Sequence, residues 1–163
     1  MSQWHRSKDK KPYDNTLITF GYGVETTAGT KPTTFSQLER INSIGGITMD
    51  TEQIDASALE DTVTKYIAGR QDTGGTWTIS VNYTAETAEQ WEDAIDAYNT
   101  AKESSLNVWF EVIIPNQTDA FFVIAELPQN IPMPEIGQNE LLTVDIDLSI
   151  VEYKGTLTKV AFT

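Results

Sequence analysis

Thr76–Thr84, TWTISVNYT, alternates without a break. Trp77, Ile79, Val81 and Tyr83 fall on one side of an extended chain, and Thr76, Thr78, Ser80, Asn82 and Thr84 on the other. A strand of this kind keeps one face in a core and the other in water. The same division returns in Glu140–Tyr153, ELLTVDIDLSIVEY, where Leu142, Val144, Ile146, Leu148 and Ile150 oppose Thr143, Asp145, Asp147 and Ser149. Upstream, Asn15–Thr26, NTLITFGYGVET, places Ile18, Phe20, Tyr22 and Val24 at period two, with Gly21 and Gly23 weakening the pattern. Ser105–Pro115, SLNVWFEVIIP, and Asp119–Leu127, DAFFVIAEL, are more continuously apolar, and the intervening PNQT supplies turn chemistry. They read as a hairpin covered on both faces. Pro128, Pro132 and Pro134 hold the linker before the last strand extended.

One segment breaks the β pattern. Thr87–Glu103, TAEQWEDAIDAYNTAKE, carries most of a helix expected over 85–102. Thr87 and Gln90 are spaced as a capping box, and Glu89, Glu92 and Asp93 sit early, where the positive helix end favours them. Ala88, Trp91, Ile95 and Tyr98 recur at helical spacing, an apolar stripe to be laid on a sheet as core. The expected fold is mainly β with one flanking helix: a small antiparallel β-sandwich or partial barrel, in a single domain over 1–163.

Charge and chemistry narrow the function. The chain has 24 acidic and 11 basic residues, a net charge of −13. Arg6, Lys8, Lys10 and Lys11 crowd into a basic arm over residues 1–14, which leaves the body still more acidic and poorly suited to binding nucleic acid. With no Cys there are no disulfides, thiolate metal sites or thiol nucleophiles. His5 is the one histidine and lies in the arm, so neither a Ser-His-Asp site nor a multi-histidine metal site can be assembled. GYG at 21–23 lacks the helix and lysine of a phosphate loop, and DTGG at 72–75 precedes a strand; both read as turns or bulges. Asp145 and Asp147 share a strand face, but a calcium site wants six to eight oxygens, and a solvated face suits them better. The sequons at Asn82 and Asn116 carry little meaning without a secretion signal. No apolar run is long enough for a membrane span, and the basic arm has no apolar core behind it to make a signal peptide. The expectation is a protein without catalysis, metal or cofactor.

The segment Ile54–Gly75, IDASALEDTVTKYIAGRQDTGG, is internally conflicted. Ser57 with Glu60 is a helix-start signature, and Ser57–Ala68 taken alone allows a short helix with Leu59, Val63, Tyr66 and Ile67 on one side and Gly69 as its stop. Thr62, Val63, Thr64, Tyr66 and Ile67 are nonetheless poor helix material. A polar loop of this length is uncommon in a compact domain unless it has a role.

The succession of an early strand, EQIDASALED, KYIAGRQDTGG, the strand TWTISVNYT, a helix carrying WEDAIDAYNTA, a hairpin and a long last strand resembles the major tail tube proteins of long-tailed bacteriophages over about residues 15–152. The resemblance implies a β-sandwich or partial barrel whose inner sheets close a barrel within a hexameric ring. Rings stack into a tube through which DNA leaves, passing without specific binding. It implies that 46–74 is a long inter-ring loop, mainly extended, with Ile54, Asp55, Leu59, Tyr66, Ile67 and Arg70 as stacking residues. It also implies a tape-measure protein and tail terminator or baseplate proteins as partners, and the virion tail as location after synthesis in the host cytoplasm. Beside it, Thr143, Asp145, Asp147 and Ser149 are the polar residues such a channel would present, though an outward solvent face accounts for them equally. A runner-up from another class is a carbohydrate-binding β-sandwich, with Trp4, Trp77, Trp91 and Trp109 as stacking platforms. Three of the four fall on core or amphipathic positions, which counts against a sugar site.

Overall fold

The computed structural model describes residues 18–55, 66–72, 75–138 and 141–163. Among these, the strands β1 (Thr19–Val24), β2 (Ser36–Leu38), β3 (Ile41–Ile44), β4 (Asp50–Asp55), β5 (Tyr66–Asp72) and β6 (Thr76–Asn82) precede one helix, α1 (Ala85–Glu103). Then come β7 (Val108–Ile113), β8 (Asp119–Glu126) and β9 (Thr143–Thr158). Seven strands form one antiparallel sheet in the order β2-β1-β7-β8-β9-β6-β3, and β4 and β5 pair only with each other. The architecture is therefore mainly β with one helix. Of the two forms expected, it takes the partial barrel: among the described residues the only other sheet is the two-stranded β4–β5 pair.

The chain's path bends this sheet. β2 and β3 lie at opposite edges, yet only Glu39 and Arg40 separate them. Three peptide steps reach about 10 Å, so the two edges must meet at that corner. β2 and β3 are two halves of one broken strand, one half paired to β1 and the other to β6. Arg40 makes the break with φ 55°, a left-handed conformation. Its carbonyl accepts from Asn82 N–H at 3.0 Å, and Glu39 N–H donates to Gln90 Oε1 at 2.9 Å while Gln90 Nε2 donates to Glu39 Oε1 at 3.1 Å. The helix thus grips the corner. No ladder joins β2 to β3, and the sheet stays open between them.

The concave face holds the main core. Phe20 is its centre, stacked on Phe110 at 5.6 Å and on Trp91 at 6.3 Å, and edge-on to Trp77 at 5.6 Å. Ile79, Val81, Val144, Ile146 and Leu148, from the alternating strands, are buried with it. From the helix, Trp91 and Ile95 enter this core, Ala88 is half-buried at its margin, and Tyr98 lies partly exposed beside it. The Tyr98 hydroxyl donates to Glu126 Oε2 at 2.8 Å; burial and then this carboxylate push its pKa up to about 12. The helix stoppers one end of the curled sheet, the end at which β6, β8 and β1 finish. The opposite end is open on a cavity of about 720 Å³ bordered by residues such as Phe20, Ile44, Ile47, Trp77, Val112 and Phe121.

Two local expectations are corrected. The helix begins earlier than the Thr87–Gln90 capping box requires: Thr84 is the N-cap and Thr87 its N3 partner, Thr87 N–H donating to Thr84 Oγ1 at 3.2 Å and Thr84 N–H to Thr87 Oγ1 at 2.9 Å. A threonine hydroxyl both accepts and donates, so it fills the role that glutamine usually takes, while Gln90 is used at the corner. Glu86, rather than Glu89, Glu92 or Asp93, is the acid of the first turn. Nor are Gly21 and Gly23 a turn or bulge, for they sit inside β1. A Cβ on Gly21 would stand 2.3 Å from Ser36 O and 2.4 Å from Phe162 Cε1, and one on Gly23 2.6 Å from Thr34 O. The glycines let the 34–36 segment and the chain's last residues lie flat on β1.

That cover creates a second core outside the barrel. Phe35, Trp109, Ala120, Phe122 and Ile124 are buried beneath the 31–35 segment and residues 159–163, which meet in a parallel bridge between Phe35 and Phe162. Two carboxylates are buried with them. Glu25 is satisfied, accepting from Asn107 N–H at 2.9 Å and Trp109 Nε1 at 2.8 Å. Glu111 Oε2 accepts from Val160 N–H at 2.8 Å, but Oε1 is buried with no partner. Burial raises the Glu111 pKa above its ordinary 4.5, with the Val160 N–H, Lys31 and Lys159 opposing the rise.

The Glu111 carboxyl holds a proton in the folded chain at pH values where the unfolded chain has released it. Its contribution to stability therefore falls as pH rises from 4.5 through the folded pKa. Glu111→Gln is expected to melt a few degrees above wild type at pH 7, with the difference shrinking as pH approaches 4.5. A melting difference independent of pH over that range would refute the assignment.

Trp91 gives a second test. It is 1% exposed, and its indole N–H has no acceptor. Trp91→Ala should cost about 3–5 kcal/mol and unfold the chain at moderate denaturant. Trp91→Phe, which keeps most of the ring and removes an unpaired donor, should cost less than half as much. Equal losses in the two variants, measured by urea denaturation, would show that the indole N–H is satisfied.

Candidate functional site

The outer side of the sheet is divided. Over β1, β7 and β8 it is covered by the second core; over β3, β6 and the 143–150 part of β9 nothing among the described residues covers it. Thr143, Asp145, Asp147 and Ser149 all lie exposed on this bare side of β9. The ladder sets Ser149 opposite Thr76, Asp147 opposite Thr78, Asp145 opposite Ser80, and Thr143 opposite Asn82. Thr78 Oγ1 donates to Asp147 Oδ1 at 2.7 Å. β3 extends the face, with Ser43 paired to Ser80 and exposed. Sequence reasoning missed this third strand because four residues are too few to show a period; the signal was the polar pair Asn42–Ser43 between Ile41 and Ile44.

The arrangement follows from strand geometry. Trp77, Ile79, Val81, Val144, Ile146 and Leu148 are buried on the concave side, so the pleat forces the intervening side chains outward. The result is a wall of hydroxyls, one amide and two carboxylates. Residues 41–44, 76–82 and 143–150 contain no Lys, Arg or His. The first lysine along β9, Lys154, lies beyond this wall, paired with Glu152 at 2.7 Å and set over the Trp109 ring at 5.5 Å. A polyanion moving along this surface would find donors but no cation. Asn82 Oδ1 is buried without a partner at its margin.

Catalytic convergence is not seen. Among the described residues no three His, Cys, Asp or Glu side chains are placed to hold a metal ion, and no helix is long and apolar enough to cross a membrane. Trp77, Trp91 and Trp109 are 2%, 1% and 3% exposed, so they cannot serve as sugar-stacking platforms; Trp4 and His5 lie outside the described residues.

The segment between β3 and β6 departs from the wall as a ribbon. β4 and β5 pair antiparallel, Ile54 with Ile67 and Asp55 with Tyr66, with an irregularity between Thr51 and Gln53. The expectation of a mainly extended loop over 46–74 thus becomes a two-stranded ribbon. A helix over Ser57–Ala68 is excluded at its end, since Tyr66, Ile67 and Ala68 are in β5, in keeping with their poor helix propensity. Arg70 also lies on β5; Leu59 and the proposed helical turn near Ser57 lie outside the described residues.

No protein-family model matches the sequence, and no curated protein does either. Similarity appears in three dimensions. The tail of an empty gene transfer agent particle, determined with C6 symmetry, contains a chain with 12% identity and a TM-score of 0.54, covering 90% of this chain and 98% of that one. The SPP1 tail tube gives 10% identity and a TM-score of 0.54, covering 88% of this chain and 78% of that one. The fold is thus one that tail tube proteins use.

The ribbon pairs only with itself, so the barrel should stand without it. Replacing Met49–Thr73 by a short Gly-Ser linker keeps Gly45, whose carbonyl accepts from Trp77 Nε1 at 2.6 Å. The variant is expected to stay folded and soluble, with near-UV circular dichroism and a cooperative melt like those of the full chain. Loss of the near-UV signal would show that the ribbon is part of the folding unit.

Proposed function

We propose that this chain is the structural subunit of a viral tail tube, forming hexameric rings that stack into a channel for DNA, with no catalytic role. The observation that carries the reading is the bare wall of β3, β6 and β9, on a fold shared with two tail tube structures. Placed inward, six copies of that wall would line a water-filled channel with hydroxyls and the Asp145 and Asp147 carboxylates. Lysines there would bind phosphates and release counterions, which retards a translocating polyanion; carboxylates repel it within about one Debye length, roughly 8 Å at physiological salt. DNA would pass without being held.

In this reading the β4–β5 ribbon is the inter-ring arm, presenting Ile54, Asp55, Tyr66, Ile67 and Arg70 to a neighbouring ring, with Leu59 nearby in sequence. A tape-measure protein inside the tube, terminator or baseplate proteins at its ends, synthesis in the host cytoplasm and residence in the virion tail complete the proposal. The burial of Trp77, Trp91 and Trp109 supports it over a carbohydrate-binding module.

Purified protein at high concentration is expected to show sixfold rings or tubes in negative-stain micrographs, and a persistent monomer would defeat the reading. Reversing the wall tests its direction. Asp145→Lys with Asp147→Lys leaves the core side of β9 unchanged, so tubes should form, but particles carrying it should eject DNA slowly at low salt and recover as salt is raised. Wild-type ejection at low salt would place this face outside the tube.

A further inference from the structure

Residues 159–163 lie across the outer face of β1 and β7 as a strap, and few bonds hold them there. Val160 N–H donates to Glu111 Oε2 at 2.8 Å, Thr163 N–H and Oγ1 donate to Phe35 O at 3.0 and 3.3 Å, and Phe162 makes a single parallel bridge with Phe35. Phe35 and Phe122 beneath are fully buried, whereas Val160 and Phe162 are only half-buried and Lys159, Ala161 and Thr163 are exposed. Sparse packing and backbone hydrogen bonds near solvent mark the parts of a fold that open before the rest.

Glu111 makes that opening conditional. It is 0% exposed, and the ladder sets it between Gly21 of β1 and Phe122 of β8. Gly21 brings no side chain and Phe122 no polar atom. The strap's Val160 N–H is therefore the donor that Oε2 receives, and Oε1 is buried without a partner. The charged groups around it are Lys31, whose Nζ donates to Thr158 O at 2.7 Å and stands over the Phe122 ring at 5.0 Å, and Lys159 on the strap itself. Elsewhere under the same cover Glu25 is engaged by Asn107 and Trp109, and Lys154 pairs with Glu152. Lys31 and Lys159 favour the carboxylate, but burial opposes it more strongly. A neutral carboxyl is tolerated under the strap; once ionised, its unpartnered oxygen gains most from water, which reaches it only when the strap is raised.

We infer that residues 159–163 form a strap that lifts off the sheet, hinged at Lys159, when the Glu111 carboxyl ionises, while the rest of the fold stays intact. Thr158 remains in place, opposite Asp119 in the β8–β9 ladder and bonded to Lys31. Lifting takes the Phe162 ring off Gly21 and frees Phe35 O, which uncovers the outer aromatic layer and the start of β2, the terminal strand of the sheet. Native folds commonly shield such an edge with a loop; here the shield is held as long as Glu111 keeps its proton. The open fraction rises with pH from 4.5 to the folded pKa of Glu111 and is level above it, because the open strap lets the carboxyl ionise at its ordinary value. This device belongs to the covered half of the outer surface and is independent of the wall proposed to face DNA.

Amide hydrogen exchange on the full chain between pH 4.5 and 7.5, corrected for intrinsic rates, tests the strap. The Val160 and Thr163 amides should exchange at least about a hundredfold faster than core amides such as those of Ile79 and Ile146, at rates unchanged by low urea, since lifting five residues exposes little surface. Their protection should fall about tenfold across this pH range in wild type. In Glu111→Gln, which keeps an acceptor for Val160 and cannot ionise, it should be flat with pH. Val160 exchanging as slowly as Ile79, with the same urea dependence, would make the strap part of the global folding unit and overturn the inference. Protection in wild type that does not change with pH, or a pH response that survives in Glu111→Gln, would take the switch away from Glu111 and overturn it as well.

Discussion

Two residues, Glu39 and Arg40, join the opposite edges of a seven-stranded sheet, and most of the architecture depends on that short bridge. A flat sheet of this order would hold its edge strands several strand spacings apart, each about 4.8 Å. The bridge spans only about 10 Å, so the sheet must curl until the edges meet. Curling gives the sheet an inside, where Phe20 contacts Trp77, Trp91 and Phe110. It also gives two ends, one closed by the helix and one left open. The hydrogen bonds between Glu39 and Gln90 tie the helix to the corner at which the two edges approach each other.

Curvature also separates the outer surface into two regions with different duties. Over β1, β7 and β8, glycines at 21 and 23 remove the side chains that would hold off the 34–36 segment and Phe162. Aromatic residues and two buried carboxylates then hold the chain's last residues in place. Over β3, β6 and β9 nothing among the described residues covers the sheet. A buried acid with one unpartnered oxygen, Glu111, is the cost of anchoring Val160 there. The bare region is built from short polar side chains on a rigid ladder, with Asp147 fixed by Thr78.

A surface of that composition is suited to letting a charged polymer pass. Specific nucleic-acid binding needs cations to replace counterions, and this wall has none within its three strand segments. The same negative charge sets a problem for self-assembly, because identical acidic copies repel.

The sequence by itself determined the local choices. Period-two alternation in 76–84 and 140–153 placed Trp77, Ile79, Val81, Val144, Ile146 and Leu148 inside and Asp145 and Asp147 outside, because a pleated strand cannot direct neighbours to one face. Helical spacing put Trp91 and Ile95 into the core in the same way. Short-range signals misled where two residues compete for one role, as Thr84 and Gln90 did at the helix start, and where a glycine's reason lies far along the chain, as Phe162 does for Gly21. β2 and β3 were too short to show a period. Only the tertiary structure decided that they are halves of one broken strand and that one sheet curls instead of two stacking. Those facts depend on pairings between separate stretches, such as Ile41 with Val81, a choice made by the joint burial of side chains from every strand and written in no single stretch of sequence.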